Sequence, residues 1–304
     1  MSYPAGRGAA VPSLGVVTHA VGHAPMPFPD CLQRIAEAGG EHILLLTSPA
    51  GPAIRRGQPA PESQFPDVLA SEPEEVRRLA SAVGLRISSL LAGRRATVDS
   101  DAAVADALAA LVPYRDAARQ LGCAALCLSS PGVAAPDLPV QAKRTELVRL
   151  ARLMDALAAG AEGQLTVSVD VHYHSLVETV ADCEVLVAAM YEPNAGLLLN
   201  IGHLTTAGQE GWRLLETAPE RIHVVGWKDH SLAADRPHPV YSVELGTGDG
   251  PLRRYVRACR RLQRTTIHLV NVEHPPHGDE VPTLRRSLAY LRGLWQQETT
   301  AENV

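Results

Sequence analysis

Aromatic residues are scarce in this sequence of 304 residues, since phenylalanine, tryptophan and tyrosine together make up 4%. Aliphatic side chains, mainly alanine, leucine and valine, must therefore fill the core. Charge is also modest: charged residues account for 20% of the chain, and the net charge is -5. Such a balance provides no bulk electrostatic attraction to nucleic acid or to an anionic membrane. We therefore expect no nucleic-acid partner and no membrane partner.

Long apolar runs are missing as well. None approaches the roughly 20 residues that a helix needs to cross a bilayer. The first residues, MSYPAGRGAAVP, lack the apolar centre of a signal peptide. We expect residues 1–12 to form a flexible lead-in, residues 13–296 a single domain, and the polar residues 297–304 a frayed tail.

Cysteines are few, odd in number and scattered through apolar segments. The spacing of Cys123 and Cys127 would suit a metal pair, but the surrounding GCAALCLSS is typical of a buried strand. We interpret all five cysteines as buried thiols, which favours a reducing cytoplasmic location.

Strand-like apolar runs alternate with helix-like segments along most of the chain. About eight such units in roughly 280 residues predict a (β/α)8 barrel, a TIM barrel, whose chemistry lies at the carboxyl ends of its strands. An open doubly wound sheet is the alternative, but it normally carries a glycine-rich phosphate turn that this sequence lacks. The predicted strands cover residues 14–18, 41–47, 85–91, 123–129, 164–171, 196–201, 221–228 and 265–273.

Polar side chains gather where these strands end, although the strand bodies are apolar. A single such residue would be an ordinary loop residue or helix cap, but the same pattern at seven strand ends favours an active site. The polar residues are His19 and His23, Thr47 and Ser48, Ser129 and Ser130, Asp170 and His172, Asn200 and His203, Lys228 and Asp229, and Glu273 and His274.

The alternation of side chains along a strand assigns directions to these residues. On the fifth strand, Asp170 and His172 share the inward face, whereas the valines between them should pack against helices. On the eighth strand, Glu273 shares its inward face with Asn271. Two inward carboxylates on different strands suit paired acid–base work on a substrate held between them.

The second half of the chain resembles the xylose isomerase-like TIM barrels, a superfamily of sugar isomerases, epimerases and inosose dehydratases. The resemblance rests on VSVDVHYHSLVET, GLLLNIGHLTTAGQE, RIHVVGWKDH, VELGTGDG and VNVEH. The first half matches only in the layout of its elements. The resemblance implies an isomerase or epimerase that acts on a sugar, cyclitol or related polyhydroxy carbonyl compound through an enediolate, with Asp170 and Glu273 as the catalytic carboxylates.

The resemblance also implies a divalent cation, Mn²⁺, Mg²⁺, Co²⁺ or Zn²⁺, at the mouth of the barrel. Its ligands correspond to Asp170, Asn200 and Glu273, and the family's histidine falls on Gly226. Because asparagine is neutral and glycine has no side chain, this ligand set is degenerate. A site without any cofactor is therefore the alternative, in which Lys228 or a protonated histidine supplies the positive charge.

Five further residues are candidates for contact with the substrate: His172, Asn200, His203, Lys228 and Glu244. Among them, His172, His203 and Lys228 are the natural donors to its hydroxyl groups or to the developing oxyanion. Trp227 should point outward by alternation, and we leave it out of the site.

Two other functions remain open. A dehydratase-like lyase begins with the same proton abstraction, and a non-catalytic binding protein would explain the altered positions 200 and 226. A DNA-repair endonuclease on the same barrel is disfavoured, because it would need a multi-zinc site and a basic surface, and this chain has neither a full ligand set nor the charge. The expected partner is a small polyhydroxy substrate, and a homodimer is a general expectation for such barrels.

Overall fold

The computed structural model describes residues 11–21, 25–59, 62–132, 138–161, 165–262, 266–276 and 278–302. Eight parallel strands close into a barrel, and each predicted strand corresponds to one of them. Their bounds are β1 (Leu14–Val17), β2 (His42–Leu46), β3 (Arg86–Leu91), β4 (Ala125–Leu128), β5 (Thr166–Asp170), β6 (Ala195–Asn200), β7 (Ile222–Trp227) and β10 (Ile267–Val270). The barrel closes where β10 pairs with both β7 and β1.

Helices connect successive strands of the barrel and pack around its outside. Within the described residues they are α1 (Phe28–Ala38), α2 (Pro73–Ala82), α3 (Asp101–Gln120), α4 (Val140–Ala159), α5 (Val180–Ala189), α6 (Ile201–Thr206), α7 (Leu214–Thr217), α8 (Leu252–Arg260) and α9 (Glu280–Glu302). The closed barrel confirms the predicted (β/α)8 fold and single domain.

Two apolar layers follow from the alternation of side chains along the strands. The larger layer lies between strands and helices, and on β5 it includes Val167 and Val169. The smaller layer fills the barrel interior with Val17, Leu44, Ala125, Cys127, Leu198, Val224 and Leu269. The smaller layer keeps the barrel interior largely apolar between its two ends.

The five cysteines are free and buried, as predicted. Burial raises the pKa of the Cys31 thiol to about 12 and that of the Cys123 thiol to about 12. Such thiols stay protonated near neutral pH and are poor nucleophiles and metal ligands.

Two segments differ from the sequence-based expectation. The loop after β7 contains a short antiparallel hairpin, formed by β8 (Asp229–Ser231) and β9 (Tyr241–Val243). The segment expected to form a frayed tail, residues 297–304, is helical as far as Glu302, where α9 ends. Glu298 is buried and pairs with Arg253 and Arg257 of α8, and these ion pairs hold the last turns of α9 in place.

The predicted lead-in lies almost entirely in residues 1–10, outside the described residues. None of the described helices combines the length and apolar character needed to cross a membrane.

Candidate active site

A cavity of about 380 Å³ opens at the carboxyl ends of the barrel strands. It brings together the inward residues that alternation predicts on β5 and β10 and the polar residues at the ends of β6 and β7. Six of the candidate residues line it together with Gly226: Asp170, His172, Asn200, His203, Lys228 and Glu273.

Glu273 lies just beyond β10, and three donors converge on one of its oxygens. Oε1 lies 2.7 Å from Nζ of Lys228, 2.8 Å from Nε2 of His19 and 3.2 Å from Nδ2 of Asn271. Burial alone would raise the pKa of this carboxyl, but Lys228 and His19 outweigh burial and hold its pKa far below the ordinary value. Glu273 is therefore ionised and firmly held.

Asp170 ends β5 and has a much sparser environment. Its Oδ1 accepts one hydrogen bond, from Nδ2 of Asn200 at 3.1 Å. Burial raises the pKa of Asp170, although His172 and the Asn200 hydrogen bond act in the opposite direction. The two carboxyls thus have pKa values displaced in opposite directions, a pattern found where two acidic groups take different roles.

Lys228 directly follows β7, and its side chain is buried at the cavity wall. An ammonium has three N–H donors. One donates to Glu273, and a weaker contact of 3.4 Å reaches Nε2 of His203. The third has no acceptor among the residues that the structure describes, and a substrate oxygen in the cavity would provide one.

Three histidine rings lie side by side along this wall. The rings of His172 and His203 are 3.6 Å apart between centroids, and those of His203 and His230 are 5.1 Å apart. Burial, reinforced by Lys228, lowers the pKa of His203 well below its ordinary value and that of His230 to about 3. Both rings are therefore neutral, so that His203 can accept a hydrogen bond from Lys228.

Two buried amide oxygens of the cavity lining lack a hydrogen-bond partner among the described residues. They are Oδ1 of Asn200 and Oδ1 of Asn271. Each amide already donates through Nδ2 to one of the two carboxylates, and this fixes its orientation. A buried acceptor without a partner is costly, so a ligand that carries hydroxyl groups suits this lining.

The β8–β9 hairpin supports Glu273 from outside the cavity. The backbone N–H of Glu273 donates to Oγ of Ser242 at 3.2 Å, and the N–H of Ser242 donates to Nδ1 of His274 at 3.1 Å. Asp229, which is buried, accepts hydrogen bonds from the N–H groups of three glycines in the following loop, Gly246, Gly248 and Gly250.

Glu244, the remaining predicted substrate contact, lies outside the cavity lining in the structure. Both its carboxylate oxygens accept hydrogen bonds from Nε of Arg286 on α9, at 3.0 and 2.9 Å. The arginine thus turns the glutamate toward the helix rather than toward the strand ends. Trp227, left out of the predicted site, is buried against Trp295, and its indole N–H donates to His268.

His19, Asn271 and Arg95 line the cavity but are absent from the predicted substrate contacts. The sequence contains an indication for two of them, because His19 follows the first strand and Asn271 shares the inward face with Glu273. Arg95 comes from the loop after β3, where no periodicity indicates direction. His23 lies outside the described residues.

A larger cavity, of about 720 Å³, lies at the opposite end of the barrel. Among the residues that line it are His42 and Arg86, which begin β2 and β3. No carboxylate appears among its described lining residues, so it lacks the paired acids of the first cavity. Chemistry in this fold belongs to the carboxyl ends of the strands, and we place the candidate site there.

The residues present do not fit the divalent metal that the resemblance implies. Of the four positions, only Asp170 and Glu273 offer carboxylates, and Gly226 offers no donor. The ammonium of Lys228 lies 2.7 Å from the very oxygen of Glu273 that would bind a cation. Within the described ranges, no group of three or more histidine, cysteine, aspartate or glutamate side chains is arranged to hold a metal ion.

Comparison with known proteins places the chain in a family. A model of the xylose isomerase-like TIM barrel family matches residues 32–294. The chain therefore belongs to the xylose isomerase-like TIM barrel family. A search of curated protein sequences found no significant match.

Solved structures similar to this chain share its fold at low sequence identity. A fusion of a xylose isomerase-like TIM barrel with a 4-hydroxyphenylpyruvate dioxygenase has a TM-score of 0.72 at 16% identity; the match covers 96% of this chain but only 44% of the fusion protein. The IOLI protein with a zinc atom has a TM-score of 0.70 at 15% identity, covering 93% and 99%. The 3-keto-D-glucoside 4-epimerase of E. coli has a TM-score of 0.68 at 13% identity, covering 92% and 99%.

Proposed function

We propose that this protein is an isomerase or epimerase of a sugar, cyclitol or related polyhydroxy carbonyl compound. The observation that carries the proposal is the pair of carboxyl groups, Asp170 and Glu273, in one cavity with pKa values displaced in opposite directions. Membership of a family whose solved relatives include a sugar epimerase supports the same reaction class.

The two carboxyls have unequal roles in this proposal. Asp170 has a raised pKa and, among the described residues, a single hydrogen bond, so it can take a proton from the carbon next to a carbonyl and return it. Glu273 stays ionised and holds Lys228 and His19 beside the substrate. The free amide oxygens of Asn200 and Asn271 accept hydrogen bonds from substrate hydroxyls.

Solvent exchange tests the proposal directly. Purified protein is incubated in D₂O with D-fructose, D-tagatose or 2-keto-myo-inositol, and deuterium at the carbon next to the carbonyl is followed by NMR. We expect incorporation with at least one of these probes, together with a product of unchanged composition. Loss of water from the product would instead favour the dehydratase-like lyase, which begins with the same proton abstraction.

Two matched substitutions separate the roles of the carboxyls. Asp170→Asn should lower the exchange rate by roughly 10²–10⁴-fold, because it removes the group that moves the proton. Glu273→Gln should lower it less, because it disturbs only the positioning of Lys228 and His19. An Asp170→Asn variant that exchanges as fast as the native protein would contradict the proposal and would favour a binding protein without catalysis.

We also propose that the protein acts in a reducing compartment such as the cytoplasm. The support is that all five cysteines are free and buried, as expected where thiols stay reduced.

A further inference from the structure

We infer that the buried ammonium of Lys228 takes the place of the divalent cation of related barrels, so that the site binds and polarises the substrate oxygen without a metal. The catalytic part of this inference rests on the proposed isomerase or epimerase function. The part that concerns metal binding stands independently of that function.

The first argument is the loss of ligands on two neighbouring strands. Asn200 and Gly226 are paired in the register of β6 and β7, so the two altered positions lie side by side. A neutral amide and a missing side chain at adjacent positions remove both a negative charge and an imidazole from one wall of the cavity. Divalent cations such as Zn²⁺ and Mn²⁺ depend on carboxylate oxygens and imidazole nitrogens of this kind.

The second argument is the position of Lys228, two residues after Gly226 and on the same inward face. Its Nζ lies 2.7 Å from Oε1 of Glu273. A cation bound to that oxygen at roughly 2.0–2.6 Å would lie only a few ångströms from the ammonium. Two positive charges at such a short distance repel each other strongly in a buried site. Lys228 and a metal ion are therefore alternatives at this carboxylate.

The third argument is the donor geometry of the ammonium. Glu273 and the neutral ring of His203 accept from two of its N–H groups. The remaining N–H has no acceptor in the described part of the chain, while the side chain lines the cavity. Glu273 therefore holds the ammonium in position. Because Glu273 and His203 occupy only two of its N–H groups, the third remains available to donate to a substrate oxygen.

The reaction balances without a further component. Asp170 takes the proton as the C–H bond next to the carbonyl breaks. The electron pair of that bond forms a carbon–carbon double bond, and the carbonyl π electrons move to the oxygen. The N–H of Lys228 donates to this developing oxyanion. A donor that is already held in position stabilises the oxyanion without having to reorganise during the reaction. Asp170 then returns the proton to the former carbonyl carbon, while the neighbouring hydroxyl group passes its own proton to the oxyanion and becomes the new carbonyl, which completes the isomerisation.

Metal titration of the native protein is the primary test. Protein dialysed against a chelator is titrated with ZnCl₂ and with MnCl₂ by calorimetry, beside the Glu273→Gln variant, and bound metal is measured by elemental analysis. We expect no stoichiometric binding that depends on Glu273. One equivalent of zinc or manganese retained by the native protein and lost in the variant would overturn the inference.

A gain-of-ligand variant tests the same inference from the opposite direction. The triple substitution Asn200→Asp, Gly226→His and Lys228→Met restores the ligands and removes the ammonium. A Cβ at position 226 would lie 3.3 Å from Cδ2 of Leu198, a contact that a small movement of this side chain relieves. We expect one equivalent of zinc in this variant and none in a matched control with Gly226→Ala. A folded triple variant that binds no zinc would contradict the inference.

The rate of deuterium exchange into D-fructose, D-tagatose or 2-keto-myo-inositol provides the last test. The exchange rate should not change with a chelator, and Lys228→Met should lower it roughly 10²–10³-fold, the usual cost of losing an oxyanion donor. Lys228→Arg, which keeps the charge, should recover part of the rate. A chelator-sensitive rate would overturn the inference. If the native protein exchanges none of the probes, the proposed function fails, whereas the two metal titrations still decide the question of the cation.

Discussion

Asn200 shows how much a single residue changes in this site. Its Nδ2 donates to Asp170, and its Oδ1 is a buried acceptor without a described partner. The resemblance to related barrels would place an aspartate there. A carboxylate at position 200 would bring a negative charge against Asp170, which a metal or another cation would have to balance. The amide avoids this requirement and keeps Asp170 hydrogen-bonded.

We predict that Asn200→Asp raises the pKa of Asp170 further. The substitution removes a hydrogen bond that stabilises the carboxylate and adds a like charge, and both effects favour the protonated acid. Asp170 must be ionised to take a proton. The acid limb of the pH–rate profile, where the exchange rate falls as the pH is lowered, should therefore move to higher pH by about one unit or more. The measurement is the pH dependence of deuterium exchange in both proteins.

Asn200→Leu serves as the control for this prediction. Leucine removes the donor without adding charge, so it should move the acid limb in the same direction but less far. An acid limb that stays in place in Asn200→Asp would show that Asp170 is not the group that limits the rate at low pH.

The inward residues of the site were predictable, but their pairings were not. Strand alternation alone predicted that Asp170, His172 and Glu273 face the interior, and all three line the cavity. The partner of Glu244 could not be predicted, because Arg286 lies on a helix 42 residues away along the chain. Such contacts depend on where separate elements meet in space, about which a local pattern carries no information.

At the scale of elements, the β8–β9 hairpin connects the end of β7 to the loop that supports the site. Asp229 begins the hairpin, and its carboxylate accepts hydrogen bonds from Gly246 at 2.9 Å, Gly248 at 3.0 Å and Gly250 at 2.9 Å. A Cβ on Gly248 would lie 2.4 Å from Oδ1 of Asp229, so this close approach requires glycine. The carboxylate therefore acts as a structural anchor for the loop.

We predict that Asp229→Asn lowers the free energy of unfolding by about 1–3 kcal/mol. One amide oxygen can still accept hydrogen bonds, but the NH₂ group faces at least one part-buried backbone N–H that loses its acceptor. Urea unfolding measures the loss, and hydrogen exchange should show faster exchange at the glycine amides. Asp249→Asn is the matched control, since Asp249 accepts from the exposed N–H of Leu232 and should matter less. Equal losses in the two variants would argue against the anchor.

The order and type of the elements followed from the sequence, whereas two of their details did not. All eight barrel strands were predicted, because each is a short apolar run followed by a helix-like segment. The hairpin was expected to be loop, since three-residue strands are too short to show alternation. The end of α9 was expected to fray, because its polar sequence gives no sign that Glu298 is buried between Arg253 and Arg257.

At the scale of the whole molecule, buried neutral histidines couple folding to pH. Burial lowers the pKa of His42 to about 4, that of His230 to about 3 and that of His268 to about 3. These rings come from different parts of the barrel: His42 and His268 line the larger cavity at the end of the barrel opposite the candidate site, and His230 lies beside the candidate site. Acid should therefore affect the fold at both ends of the barrel.

We predict that the free energy of unfolding falls as the pH is lowered from 7 to 5. An unfolded histidine takes up a proton near pH 6.5, whereas these folded rings stay neutral until the pH approaches 3 to 4. Their lowered pKa values thus contribute stability above pH 6.5 that is lost progressively on acidification, by at most about 1.4 kcal/mol per histidine for each pH unit. Asp170 and Asp229 act with the opposite sign, because their raised pKa values favour the folded state in acid.

Urea unfolding of the native protein and of His268→Gln at pH 7, 6 and 5 isolates one histidine. The variant should lose stability less steeply with falling pH, and equal slopes would show that His268 takes up its proton in the folded state as readily as in the unfolded one.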